Sequence, residues 1–305
     1  MRIIKDTNID FTGKRKIGIS FSLLLILIGF ISLIAHGGPR LGIDFIGGTL
    51  VQVRFANPVS SIDVRSAVSS AGYAGAVIQQ FGGDREVLIR ILEEEGAAEA
   101  SGNLSQTLAE GFVDNPFEIR KVVRVGPKIG EELRGKAVLA ILAAMFGIVI
   151  YITFRFEFKF AVGALIALAH DVIITLGIFS ILDIEINLSV IAAFLTIVGY
   201  SLNDTIVIYD RIRENVKSMR RESYEIIVNT SINNSLSRTI VTSITTFMVV
   251  FTLYLIGGEV ISGFSFAMMV GVVVGTYSSI FIASPILIEW QARAAAKKRA
   301  SLTSS

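Results

Sequence analysis

The chain has 305 residues, of which 52% are hydrophobic and 18% charged, with a net charge of +2. A soluble domain carries about 25% charged residues, so the composition excludes an ordinary soluble protein and points to membrane spans with some soluble mass attached. Cysteine is absent, which excludes disulfides and thiolate chemistry, and histidine occurs only as His36 and His170, which argues against a histidine-rich metal centre.

Lys14, Arg15 and Lys16 precede an apolar run at 17–35. The run is near span length and no A-x-A cleavage pattern follows it. It therefore reads as a retained first span after a short cytoplasmic N-terminus (1–16), not as a signal peptide. Residues 36–136 then have ordinary soluble composition. Within them 49–55 (TLVQVRF) alternates like a strand, and 61–71 reads as a helix with Ser60 or Ser61 as its N-cap. A hairpin is expected from 76–81 and 86–92 around Gly82-Gly83-Asp84, then a helix at 103–112 and a last strand at 117–125. The order βαββαβ is that of the ferredoxin-like motif; an irregular α+β domain is the alternative.

Just before the first strand lies LGIDFIGG, residues 41–48. Gly47 and Gly48 follow an apolar, strand-like piece and suggest a tight turn where the chain leaves the membrane. A phosphate loop fits poorly, because no Lys-Ser/Thr pair follows at the required spacing. Asp44 reads as a local cap.

VGPKIGEEL (125–133) leads back toward the bilayer, with Pro127 suited to an interfacial helix start. Further spans are expected at 137–154, 160–182, 188–210, 239–256 and 264–289, with a basic loop at 211–238 and a tail at 290–305. Six spans put both termini on one side. The basic segments 14–16, 155–159, 211–238 and 293–299 all fall there, whereas 183–187 and 257–262 carry no Lys or Arg. The positive-inside rule makes that side cytoplasmic and places the soluble domain outside. Basic residues confined to such short segments give no footprint for nucleic acid.

Charges inside the spans mark the candidate site, because an ionisable group in hydrocarbon is retained when it is paired, faces protein or water, or moves protons or ions. Asp204 lies about seven residues, roughly 10 Å, from the cytoplasmic end of its span. Tyr200 and Ser201 precede it on the same helical face. Arg238 opens the fifth span from that side, followed by Thr242 and Thr245; its head can turn to water or to a neighbouring carboxylate. His170-Asp171 lies deepest, in the third span, as a helix-packing contact or a part of a proton path. Ala267, Gly271, Gly275 and Ser279 recur at spacing four, a small-residue face for close contact within the bundle or with a partner span.

LGIDFIGGTLV, VGPKIGEEL, ALAHDVIITLG, GYSLNDTIVIYDRIREN and INNSLSRTIVTSITT, in this order, resemble the SecF family, one half of the bacterial SecD–SecF accessory complex in the resistance-nodulation-division superfamily. The resemblance covers about 17–290. It implies an α-helical membrane protein whose six-helix bundle is half of a pseudo-symmetric core, with one periplasmic ferredoxin-like domain between helices 1 and 2. It implies partnership with SecD, the SecYEG translocon and YajC in the bacterial inner membrane. The implied function is proton-motive-force-driven completion of preprotein export after the SecA ATPase has acted, with no cofactor, no metal and no hydrolase activity of its own. The family's proton-path aspartate and arginine fall on Asp204 and Arg238, and its HD pair on His170 and Asp171. Asp44, Gly47, Gly48 and Gly199 fall in its structural motifs.

Three rivals fit less well. A self-sufficient small-molecule exporter of the superfamily carries two six-helix halves in one chain. An intramembrane aspartyl protease would need Asp204 and Asp171 as a dyad. Tyr209-Asp210 lies at a span end and no Gly-x-Gly-Asp occurs, since Asn203 precedes Asp204. A passive scaffold would leave Asp204 without a reason.

Overall fold

The protein is described by a computed structural model covering residues 7–91 and 100–303. Alternation in the soluble segment becomes four strands, β1 (Gly48–Phe55), β2 (Val77–Gln80), β3 (Glu86–Ile91) and β4 (Phe117–Val125). Leu92, the expected end of the third strand, lies outside the described residues. Helix α3 (Ser61–Ser70) sits between β1 and β2, and α4 (Ala100–Gly111) between β3 and β4. Ser60 is the N-cap of α3, its hydroxyl accepting from the Ile62 N–H at 3.2 Å. The sheet runs β2-β3-β1-β4 with every pair antiparallel, the ferredoxin-like arrangement that the element order predicts.

Period-two alternation sets the core of this domain. Val87, Ile89 and Ile91 of β3 point inward beside Val51, Val53 and Phe55 of β1, and Leu104 and Leu108 of α4 close over them. Each such fully buried side chain contributes about 1.5–3 kcal/mol.

Six helices are long and apolar enough to cross a membrane, so the chain is a multi-pass membrane protein. They are α1 (Arg15–Ala35), α5 (Pro127–Arg155), α6 (Phe158–Ile181), α7 (Leu188–Ser218), α8 (Tyr224–Ile256) and the joined α9 (Glu259–Ser278) and α10 (Ser284–Thr303). A π-helical turn, Ser279–Ala283, links α9 to α10. A one-turn helix, α2 (Ile43–Ile46), stands where the sequence reads strand-like, and the two positive-φ glycines 47 and 48 follow it.

About half of the apolar stretch is buried in α6, α7 and α9–α10, and less than a fifth in α1, α5 and α8. The first set forms the centre and the second its rim. Gly29 of α1 and Gly177 of α6 cross in direct backbone contact; a methyl on either would stand 2.9 Å from the other's Cα. Ser32 and Ser180 share a 2.9 Å hydrogen bond beside that crossing. Gly271 and Gly275 face Ile197 and Ser201 of α7, and Ala267 and Ser279 are buried. The small-residue face is thus used inside the bundle.

The segment 211–238, expected as a basic loop, is mostly helix. α7 continues to Ser218 and α8 begins at Tyr224, capped by Ser223. A hydropathy edge marks where lipid ends, not where backbone hydrogen bonding ends. The tail likewise continues as α10 to Thr303. Residues 9–12 fold back on α8, where the Asn229 and Asn233 side chains bond the backbone of Ile9, Phe11 and Thr12.

Candidate functional site

The polar side chains of the central helices form two clusters. Helix α6 points His170 and Asp171 inward, and both are buried. Asp171 Oδ2 accepts from Ser201 Oγ of α7 at 2.5 Å and from Ser278 Oγ of α9 at 2.9 Å. Its Oδ1 lies 2.8 Å from His170 Nδ1, and His170 Nε2 lies 3.0 Å from Ser22 Oγ of α1. Tyr277 stacks on the imidazole and donates to the Gly18 carbonyl at 2.6 Å, so its oxygen takes the Ser22 hydrogen at 3.1 Å. The cluster joins four helices with each carboxylate oxygen partnered. Helix hydroxyls at such positions are the polar glue of membrane interiors.

The second cluster is more loosely held. Asp204 of α7 is 2% exposed and accepts from Ser243 Oγ of α8 at 3.4 Å, with the hydroxyls of Thr276 and Thr242 also on its carboxylate and the Arg238 charge acting on it. Ser243 also shares a 2.6 Å hydrogen bond with Thr276 Oγ1 of α9 and accepts from Tyr200 OH at 3.3 Å. The hydroxyls next to Asp204 in sequence are therefore divided between the clusters. Ser201 turns to Asp171, and Tyr200 reaches Asp204 only through Ser243. Residue 201 contacts α9 closely because Gly275 has no side chain; a Cβ there would lie 2.9 Å from Ser201 Cβ.

Arg238 is exposed on α8, and among the described residues no ion pair joins it to Asp204 or to any other carboxylate. Thr242 Oγ1 bonds back to the Arg238 carbonyl at 3.0 Å and also faces the Asp204 carboxylate, whereas Thr245 bonds back to the Val241 carbonyl at 2.8 Å. Gly199 faces outward with nothing within 4 Å of its would-be Cβ, on a small and polar exposed stripe with Ala192, Thr196 and Asn203.

Asp44 is a cap, but of a distant helix. Its Oδ2 accepts from the N–H of Leu188, the first residue of α7, at 2.9 Å. Gly47, at φ +82°, lies where a Cβ would press 2.8 Å from Pro127 Cα at the start of α5. Sequence reasoning missed Ser22, Ser243, Thr276, Tyr277 and Ser278. The available signal was a small or hydroxyl residue inside an apolar run, which by itself says nothing about the partner. The π-helical turn directly after Ser278 is a further sign, since such turns concentrate at functional positions. Ser284 Oγ donates to the Ser279 carbonyl across it at 2.8 Å.

Residues 105–293 match the family described as protein export membrane protein SecD/SecF, C-terminal, and residues 32–59 match the SecD/SecF GG motif. The protein translocase subunit SecF of Desulfurispirillum indicum is 47% identical over 292 residues, covering 93% of this chain and 92% of that protein. The protein of the same name from Magnetococcus marinus is 48% identical over 293 residues, covering 93% of each. The crystal structure of SecDF, a translocon-associated membrane protein from Thermus thermophilus, superposes with a TM-score of 0.84 at 38% identity, over 94% of this chain and 39% of that one. The chain thus spans about two fifths of that solved protein.

Proposed function

We propose a function that proceeds from family, for this chain belongs to the SecD/SecF family of protein-export membrane proteins. Its role in Sec-dependent protein translocation is that of the SecF half. It acts beside a SecD half in the bacterial inner membrane, next to SecYEG and YajC, and uses the proton motive force to complete preprotein export after SecA-driven translocation. Both termini are cytoplasmic and the sheet domain is periplasmic. The exposed stripe of Ala192, Thr196, Gly199 and Asn203 suits a protein surface better than lipid, and SecD is the partner that would cover it.

One observation carries the proton reading. Asp204 is buried, the hydrogen bond it accepts from Ser243 is long at 3.4 Å, and Arg238 acts on it by charge while forming no ion pair with it among the described residues. An acid so lightly held can change protonation without dismantling a network. Binding a proton removes the charge that would attract Arg238, and losing it restores that attraction, so the relative positions of α7 and α8 follow the proton. A proton crossing about 100 mV releases about 2.3 kcal/mol, enough to bias such a pair of states. Asp171, with its donors in place, ties α6 to α7 and α9, and through His170 to α1, beside that path.

The test is Asp204→Asn, which keeps volume and removes the charge. The variant should accumulate with SecD at normal membrane levels. Pulse-chase export of a periplasmic reporter should lose its gradient-dependent part. Unchanged export would leave a passive scaffold as the better account.

A further inference from the structure

We propose that residues 40–48, together with Arg90 and Glu185, form the joint that transmits movement between α7 and the sheet domain, with Arg90 and Glu185 as its positioning residues. The proposal rests on the proton-driven reading of Asp204. The turn between α6 and α7 is gripped by the segment that precedes β1. Arg40 Nη1 bonds Asp183 twice, at 2.5 Å to the carboxylate and 3.2 Å to the carbonyl. The Ile186 N–H donates to the Arg40 carbonyl at 2.8 Å, and the Gly42 N–H donates to the Ile186 carbonyl at 2.8 Å. Asp44 then caps α7 at Leu188.

The sheet reaches the same turn through β3. Arg90 forms an ion pair with Glu185, and these side chains are 12% and 20% exposed. Glu185 lies against the bare backbone of Gly42, where a Cβ would collide with its carboxylate. Arg90 Nε is buried with no hydrogen-bond partner. A permanent strut of this kind satisfies its donors, because an idle buried N–H is costly. A guanidinium with one donor to spare is suited to leaving one arrangement and taking another.

Asp204 lies sixteen residues along α7 from the capped Leu188, about 24 Å of continuous helix. A tilt or shift of α7 driven at Asp204 therefore arrives at the turn 183–187, and Arg90 and Asp44 pass it to the sheet. The GG segment acquires a mechanical meaning: Gly47 and Gly42 allow the backbone and Glu185 to approach closely enough for the joint to exist.

The experiment uses the full complex with SecD in inverted membrane vesicles, and follows gradient-driven export and proton flux side by side. Arg90→Glu should lose the gradient-driven share of export, while proton flux stays within about twofold of the parent. The double exchange R90E/E185R should restore at least about half of the lost export, as expected for two coupled residues. Parallel loss of flux and export, at normal protein level, would make Arg90 a merely structural residue and overturn the proposal. So would unchanged export in Arg90→Glu, or failure of the double exchange to rescue a well-folded complex. Asp204→Asn runs in parallel. If it keeps gradient-driven export, the proton reading itself falls and the joint falls with it. If it loses export while Arg90→Glu does not, only the joint falls.

Discussion

The sheet domain hides Val53, Val64, Ile89 and Leu104 completely, whereas the helical bundle hides Asp171, Ser201, Ser278 and Ser279 just as fully. The difference follows from the two solvents. Around the sheet domain, water drives apolar side chains inward, so hydrophobicity and burial coincide. Around the bundle, lipid is as apolar as leucine and gives no such drive; helices associate through close packing and internal hydrogen bonds. The bundle accordingly turns Leu23, Leu27, Phe146 and Phe154 outward and keeps glycines and hydroxyls at its seams. Polar residues inside the sheet core would be faults, whereas inside the bundle they are the joints.

The contrast can be broken most severely in the sheet. Ile89→Asp places an unpartnered carboxylate among β1, β3 and the domain's helices, at a cost of about 4–7 kcal/mol. Such a loss approaches the whole stability of a small domain, so limited proteolysis should cut the domain out and full-length protein should fall. In the bundle the largest effect is expected from bulk rather than charge. Gly177→Leu pushes α1 off α6 and opens the Ser32–Ser180 contact, costing about 3 kcal/mol, readable as a lower thermal midpoint in detergent.

The two acids sharpen the comparison next. Asp171→Ala strands Ser201, Ser278 and His170 without their acceptor, a loss of about 2–3 kcal/mol. Asp204→Ala removes a long 3.4 Å hydrogen bond from Ser243 and the weaker contacts of Thr276 and Thr242, and should cost about 1 kcal/mol. Equal thermal shifts for the two would erase the distinction between a structural and a working carboxylate. The smallest expected effect is Ser22→Ala, which opens the His170–Ser22–Tyr277 chain for about 0.5 kcal/mol. The same thermal measurement reads it.

Legibility in the sequence divides along the same line. The βαββαβ order was readable because β3 alternates with period two, and every inward residue of β3 is an aliphatic one. Six apolar helices were readable from length and hydropathy. The partners of Asp171 were not, since Ser201 is adjacent in sequence to Asp204's turn and bonds a carboxylate thirty residues away. Asp44 could be read as a cap, yet the helix it caps starts 144 residues later. Helix ends beyond lipid were also hidden. Residues 211–218 and 224–238 lack the hydropathy of a span and remain helical.

By itself, the sequence determined the fold class and the family, because periodicity and motif order are local properties that each solvent acts on directly. It also marked Asp204, Arg238, His170 and Asp171, since charge inside an apolar run is visible without coordinates. Tertiary structure alone decided which hydroxyl meets which carboxylate, that Arg238 forms no ion pair among the described residues, and that Gly29 meets Gly177. The reason is geometric. A helix seam is fixed by how two surfaces interlock at distances of a few ångströms, and a one-dimensional pattern does not contain the rotation of one helix against another.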